Sequence, residues 1–481
     1  MDTLKRHPLL WITALAALLR LPTLAVESLW YDETFTAWLA SLPLNNLIAA
    51  AQGDVHPPTW YLLEWLVVHA LGPNEFALRL ISALAGIALV PAVWRLAQTT
   101  GLDRAAQGAA ALVTAVAPFA VYYSQEARAY SLLYLLTTLA TIALLERRWA
   151  WLVITATAAL YLHNLACLYI AALAWLGLYH HRGTKGYYLA FTAIGLAWLP
   201  WVIWGLIPQS SVIAAGGFWV RPPTYGTPVY ILTAWLFTEK ANLLFAVTVP
   251  LLALAILGPF LFGDKSSSRP KIDLLALLLI PLGLAIIGSM LFNPILVARV
   301  IGSSAIVLYL LIAPRLRRAP APLLGCLALV LIAFYATYWG TDRIGRYPWN
   351  FGHPPNVVIE PTDGIFHANL ATYIVYHYYL PDVDQAVWQQ ANDLSQSLTD
   401  QTKIAMQMEQ AQFEDVACSH QRWWVTFYEN PTTGPAERAE IARIVKQYHG
   451  QQMATILKNE LVNARIYLLQ DVCSQTVEVY P

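Results

Sequence analysis

Glu27-Ser28-Leu29-Trp30-Tyr31-Asp32-Glu33-Thr34 follows directly on an apolar run from Pro8 to Val26, and this placement decides how the chain is read. Behind Lys5-Arg6, a run of that length is a membrane-spanning helix with its basic flank at the start. The two adjacent carboxylates therefore stand where the chain leaves the bilayer. No small-x-small cleavage site precedes them, so the run reads as a retained anchor and not as a signal peptide.

Working outward, 58% of the 481 residues are apolar and only 12% are charged, with a positive mean hydropathy. An ordinary soluble domain does not have this composition. Further helices are predicted over 79–98, 106–122, 130–145, 150–163, 164–179, 187–207, 242–262, 272–292, 300–313 and 321–339. The expectation is a polytopic α-helical membrane protein of about eleven transmembrane helices. It occupies residues 1–339, with long outer loops at 27–78 and 208–241. Beyond it, 340–481 alternates extended runs (Asn356–Glu360, Arg422–Tyr428, Arg465–Leu469) with helical stretches such as Pro435–Tyr448, the pattern of a small α/β domain.

Charge sidedness sets the orientation. Lys5-Arg6, Arg95 with Arg104, Arg147-Arg148, Arg182 with Lys185, Lys265 with Arg269 and Lys271, and Arg315 with Arg317 and Arg318 all fall on one side, which the positive-inside rule makes cytoplasmic. The N-terminus is then inside, and Asp32-Glu33 and the C-terminal domain are outside, in a multi-pass protein of the inner (plasma) membrane. The formal net charge is zero and gives no basis for a nucleic-acid partner. In an oxidising compartment Cys418 and Cys473 are a candidate disulfide or two free thiols.

The outer face gathers the chemistry. The first loop holds Asp32-Glu33, then Gly53-Asp54-Val55-His56-Pro57-Pro58 and Tyr61, within short helices whose aromatic residues suit the headgroup level. Asp32 and Glu33 read either as the cap of a helix starting near Thr34 or as an acid pair, with Asp32 taking a proton from an incoming nucleophile. The next outer segment, Tyr122-Tyr123-Ser124-Gln125-Glu126-Ala127-Arg128-Ala129-Tyr130, offers an interfacial ion pair or a cationic phosphate contact with a second acid. His163-Asn164, Phe218-Trp219 and Ala298-Arg299 turn toward the same compartment. Phosphate-rich nucleotides reside inside the cell and the chain has no phosphate-binding glycine loop, so a donor available outside would have to be carried by lipid.

In order and sidedness these segments resemble the GT-C superfamily of membrane glycosyltransferases. The pattern is nearest to bacterial relatives of protein O-mannosyltransferases and of the enzymes that add aminoarabinose or galacturonic acid to lipid A. The resemblance rests on Tyr31-Asp32-Glu33, His56-Pro57-Pro58 with Tyr61, Ala77-Leu78-Arg79 with Ser82, and Gln125-Glu126 with Arg128 and Tyr130. Leu162-His163-Asn164, Phe218-Trp219 and Ala298-Arg299 complete it.

The resemblance implies an inverting transfer of a sugar from a polyprenyl-phosphate donor to an extracytoplasmic acceptor, whether lipid, glycan or protein hydroxyl. Asp32 is then the general base, with Glu33 supporting it and Glu126 as a further acid. Arg79, Arg128 and Arg299 are implied for the donor phosphate, and His56, Tyr61, Tyr130, His163 and Trp219 for substrate. Arg299 is followed by Val300 where relatives often carry Arg-Tyr. No cofactor is assigned; members of the superfamily differ in divalent-ion use, and His56 with Glu33 is a ligand set left open. The alternative reading is a transporter or flippase of lipid-linked glycans, against which stands the scarcity of charge at the helix centres.

Overall fold

The computed structural model describes residues 7–214, 220, 222–237, 269–316, 321–340, 357–389, 398–429, 435–458 and 463–475. The expected helix over 242–262, and Trp219, lie outside the described residues. In chain order the helices are α1 (Pro8–Arg20), α2 (Tyr31–Ser41), α3 (Leu44–Gln52), α4 (Thr59–Leu71), α5 (Glu75–Thr99), α6 (Arg104–Val116), α7 (Pro118–Tyr123) and α8 (Tyr130–Leu145). They continue with α9 (Trp149–Leu162), α10 (Ala166–His181), α11 (Lys185–Trp201), α12 (Ile207–Ala214), α13 (Thr227–Leu236), α14 (Arg269–Leu291), α15 (Ser303–Leu316) and α16 (Ala321–Gly340). An α/β segment follows: β1 (Gly364–His367), α17 (Leu370–Tyr379), β2 (Asp384–Trp388), α18 (Asp400–Ala405), β3 (Gln410–Ala411), α19 (Phe413–Val416), β4 (Arg422–Glu429), α20 (Pro435–Gln447), β5 (Gln451–Lys458), β6 (Asn463–Gln470) and α21 (Val472–Gln475).

Three described stretches are long and apolar enough to cross a membrane, Glu75–Thr99, Lys185–Ser210 and Ile272–Leu291, and shorter apolar helices accompany them. One expectation is corrected. The helix predicted over 106–122 breaks at Ala117, whose backbone is extended (φ −62°, ψ 124°) because the ring of Pro118 disfavours helical backbone in the residue before it. Val357–Glu360, expected to be an extended run, is not paired into the sheet among the described residues. The outer loop 208–241, for its part, contains the helix α13.

The chain divides into two compact units. One comprises Met1–Ala25, Phe76–Ile207 and Val220–Gly345, the other Val26–Glu75, Pro208–Trp219 and Arg346–Pro481. By contacts, the first outer loop thus belongs with the C-terminal α/β segment.

In the helical unit α15 is buried on every side from Ser303 to Ala313 and packs against α6, α8 and α14, as a helix apolar all round must. Small residues bring α1, α5 and α6 close together, with Ala16, Ala111 and Ala115 around Val90; close approach of this kind is what drives helix association in lipid. Arg20, at the end of α1 and fully buried, donates from Nη1 to Ala115 O (2.9 Å) and Ala16 O (3.2 Å) and from Nη2 to Thr114 O (3.2 Å). It thereby neutralises carbonyls left open at the C-terminus of α6. The outward faces of α9, α11 and α14 expose Trp151, Ile154, Leu189, Leu196 and Ile287, a surface suited to lipid.

In the outer unit a six-stranded sheet runs β3-β2-β1-β4-β6-β5, parallel among the first four strands and antiparallel from β4 through β6 to β5. Its core includes Ile365, Val375, Tyr376, Trp424, Tyr428 and Ile466. His367 on β1 is fully buried and satisfied at both ring nitrogens, by Thr426 Oγ1 (2.8 Å) and Thr372 Oγ1 (3.1 Å) at Nδ1 and by Gln385 Oε1 (3.2 Å) at Nε2. Burial, with the neighbouring His377, pushes its pKa down to about 3, so it is a neutral core residue. Cys418 and Cys473 are joined in a disulfide.

The loop helices dock onto this segment. The last carbonyls of α3 accept from the start of α18: Thr402 Oγ1 donates to Ala50 O, Thr399 Oγ1 to Gly53 O and Gln401 Nε2 to Ala49 O, each at 3.0 Å. Gly53 has no Cβ for a reason: one would lie 2.5 Å from both threonine hydroxyls. Helix α4 packs on α2 and buries Glu64 completely, both carboxylate oxygens lacking a hydrogen-bond partner among the described residues. An ionised carboxylate in that position is costly. Burial first, then the charge of Glu33, raises its pKa well above the usual carboxylate range.

The sign of the resulting pH dependence follows. Unfolded, Glu64 ionises near its ordinary value of 4.5, whereas folded it keeps its proton. Its contribution to stability is therefore fully present below that value and declines as pH rises toward the folded pKa, by up to about 1.4 kcal/mol per pH unit. Glu64→Gln removes the penalty. Thermal unfolding should show the variant and the parent alike near pH 4.5 and the variant increasingly more stable toward pH 7; a gap that stays constant with pH would contradict the assignment.

Candidate active site

The acidic helix begins with an extended Trp30 and enters α2 at Tyr31. Glu33, third in the helix and fully buried, reaches back so that its Oε2 accepts from the Trp30 N–H at 3.3 Å. Thr34 Oγ1 donates to Tyr31 O at 3.0 Å, and Thr36 Oγ1 to Asp32 O at 2.9 Å. The carboxylate of Asp32, only half-buried, meets no hydrogen-bond or ion-pair partner among the described residues. The two adjacent acids are thus unlike: one caps the helix and the other stays available.

Farther along the outer unit, Asp54 accepts from Tyr61 Oη at 2.8 Å and lies 3.2 Å from His56 Nδ1. Burial raises the Asp54 pKa, but the His56 hydrogen bond and charge, with lesser help from the Val55 backbone and Tyr61, bring it below its ordinary value. Gln209 Nε2 donates to Ala51 O (3.0 Å) and His56 O (3.1 Å), so the second outer segment braces the loop. Pro58 precedes α4 and presets the turn that brings Tyr61 round to Asp54. Tyr61 also packs edge-on against Phe35 of α2 at 5.9 Å.

In the helical unit Tyr130, Arg299 and His163 come together. Arg299 Nε donates to Tyr130 Oη at 3.0 Å, its guanidinium lies 5.8 Å from the tyrosine ring centre, and the Tyr130 ring is 6.1 Å from that of His163. The backbone at Arg299 is pinned: Tyr134 Oη donates to Arg299 O (2.6 Å), Trp235 Nε1 to Ala298 O (2.9 Å) and Tyr309 Oη to Trp235 O (2.6 Å). Gly302 is required there, since a Cβ would fall 2.3 Å from Tyr134 Oη. His163 Nδ1 accepts from the Leu165 N–H at 3.2 Å, which assigns the proton to Nε2, and Asn164 Oδ1 accepts from Trp201 Nε1 at 2.8 Å.

Glu126 and Arg128 are almost wholly buried. Neither is a snorkelling surface charge, and each has to be compensated inside the unit. The Arg128 carbonyl accepts from Ser82 Oγ at 2.9 Å, which ties this segment to α5. Arg79, also on α5 and fully buried, donates from Nη1 to Leu24 O at 2.6 Å, holding the turn that leaves α1. Of the residues singled out by sequence, the structure joins His56 with Tyr61 through Asp54, and Tyr130 with Arg299 and His163.

Sequence reasoning passed over Asp54 as a chemical group, and over Arg20, Glu64 and Tyr379 altogether. Arg20 and Glu64 carried a legible signal, each a lone charge inside an otherwise apolar helix. Tyr379 carried none, being one of several tyrosines in Tyr373–Tyr379.

No protein-family model and no curated protein sequence matches the chain. Among solved structures, ArnT from Cupriavidus metallidurans in the apo state aligns with a TM-score of 0.63 at 13% identity, over 98% of this chain and 98% of that one. ArnT from the same organism bound to undecaprenyl phosphate aligns with a TM-score of 0.54 at 13% identity, over 98% and 99%. An alignment that runs the length of both chains, through the outer loops and the C-terminal segment alike, gives this protein the GT-C fold of the membrane glycosyltransferases.

Proposed function

We propose that the protein is a membrane glycosyltransferase that moves a sugar from a polyprenyl-phosphate carrier to a hydroxyl on an extracytoplasmic acceptor. The observation that carries the reading is the division of labour at α2. Glu33 is occupied in capping, while Asp32, one residue earlier, keeps a half-buried carboxylate without a partner among the described residues. Support comes also from ArnT, which shares the fold and binds undecaprenyl phosphate, and from the Cys418–Cys473 disulfide, which suits a domain outside the cytoplasm.

In this mechanism Asp32 takes the proton of the acceptor hydroxyl. The oxygen attacks the anomeric carbon from the face opposite the phosphate, the bond from that carbon to the phosphate oxygen breaks, and configuration inverts. Charge gathers on the departing lipid phosphate, where Arg299 and Arg128 act as cationic partners. Tyr130 orients the Arg299 guanidinium through its 3.0 Å hydrogen bond. Arg79, whose Nη1 also donates to Leu24 O, is a third cationic candidate for that phosphate. His56, Tyr61 and His163 contact substrate in this reading, with Asp54 fixing the first two. Glu126 serves as a buried acid beside Arg128.

The test is transfer or hydrolysis of a panel of polyprenyl-phosphate sugars by the full chain in lipid nanodiscs. Asp32→Asn should lower turnover by about 10²–10⁴-fold with donor binding kept; full turnover by this variant would remove Asp32 from the mechanism. Arg299→Ala should weaken donor use by about 10–100-fold, the worth of one charged hydrogen bond. Tyr130→Phe should produce a smaller loss of the same kind, read as a rise in donor KM.

A further inference from the structure

The chain entering α2 presents two successive amides, those of Leu29 and Trp30, just ahead of Asp32. The Trp30 N–H is met locally by Glu33. The Leu29 N–H is met from far away in sequence: it donates to Tyr379 Oη at 2.6 Å across 350 residues. The same hydroxyl donates to Glu75 Oε1 at 3.0 Å, so one oxygen joins the start of the first outer loop to its end. Beside it, Tyr378 Oη donates to Pro73 O.

The other end of α2 is gripped by the same helix, α17. The Trp38 ring stacks on His377 with centroids 3.7 Å apart and planes 15° from parallel, and leans on Tyr373 at 5.6 Å. Stacking fixes the course of the acidic helix without fixing where it starts. A helix held by packing contacts can slide or turn about its axis, and its first-turn side chains then swing furthest. The Tyr379 hydroxyl removes that freedom because a hydrogen bond to a backbone amide is directional.

We propose that Tyr379 is a positioning residue for the acidic helix: by anchoring the Leu29 amide to the C-terminal α/β segment, it sets the direction in which the Asp32 carboxylate points. This rests on the transferase reading for its catalytic consequence and not for its structural one. Tyr379 touches no reacting atom; it acts through the backbone that carries Asp32. The C-terminal segment thereby takes part in aligning the base.

Two readouts on the full chain in nanodiscs test it. Tyr379→Phe keeps the ring and removes the hydroxyl. Hydrogen exchange should show the Leu29 amide losing protection while β4 and β6 keep theirs. Turnover should fall about 10–100-fold, the cost of a small misplacement of a catalytic group, with donor KM little changed. Glu75→Ala, which frees the hydroxyl from its other partner, should shift both readouts the same way by less. An unchanged Leu29 exchange rate, or a Tyr379→Phe enzyme as fast as the parent, overturns the proposal. If the parent chain transfers from no donor, the transferase reading fails, and the exchange result still decides whether Tyr379 anchors Leu29.

Discussion

A charge or an open backbone group that is buried away from water has to be met by the chain itself, and both units are organised around this requirement. In the helical unit it is visible at Arg20, whose guanidinium lies between α1 and the end of α6 and binds carbonyls of both. Gln125 adds to the same knot by donating from Nε2 to Arg20 O and Thr23 Oγ1, each at 2.8 Å. Removing either side chain leaves polar groups stranded among apolar helices, a loss on the order of several kcal/mol. Arg79 on Leu24 O repeats the device one turn later in the chain. Together these contacts hold the exit of α1, the point from which the acidic loop departs.

The outer unit solves the same problem at helix ends. Glu33 closes the start of α2, and Thr399, Gln401 and Thr402 close the end of α3. In the sheet, Asp363 accepts from Arg422 Nη2 (2.6 Å), Trp424 Nε1 (2.8 Å) and the Glu360 N–H (2.9 Å). Burial acts to raise the Asp363 pKa, and these donors outweigh it and bring the value below the ordinary one. Glu64 departs from this pattern: its carboxylate meets no donor among the described residues, and it answers burial by holding a proton instead of finding a partner.

How much of this was legible depended on whether the signal was local. Apolar runs and basic flanks gave most helices, and short extended apolar runs gave β4 and β6, because these patterns are written in consecutive residues. Pro118 was legible as a breaker in hindsight, yet the apolar run through it hid the break. The association of residues 26–75 with 346–481 was not legible: it depends on pairs such as Leu29 with Tyr379 and Ala50 with Thr402, separated by hundreds of residues. At the candidate site, the residue types and their order were readable. The pinning of Arg299 by Tyr134 and Trp235 was not, since neither aromatic residue differs in sequence from an ordinary core residue.

The acidic pair shows where sequence carries more than residue identity. Two adjacent acids at a helix start are not equivalent, because only a side chain in the third helical position reaches back to the amide before the helix. Once the helix begins at Tyr31, Glu33 occupies that position and Asp32 does not. The start of the helix is thus the quantity that assigns the roles: begun one residue later, Thr34 would hold the third position and neither acid would be committed to the cap. What fixes the start therefore selects which carboxylate stays available, and the Leu29 amide, held by Tyr379 ahead of the cap, lies at the point where that selection is made.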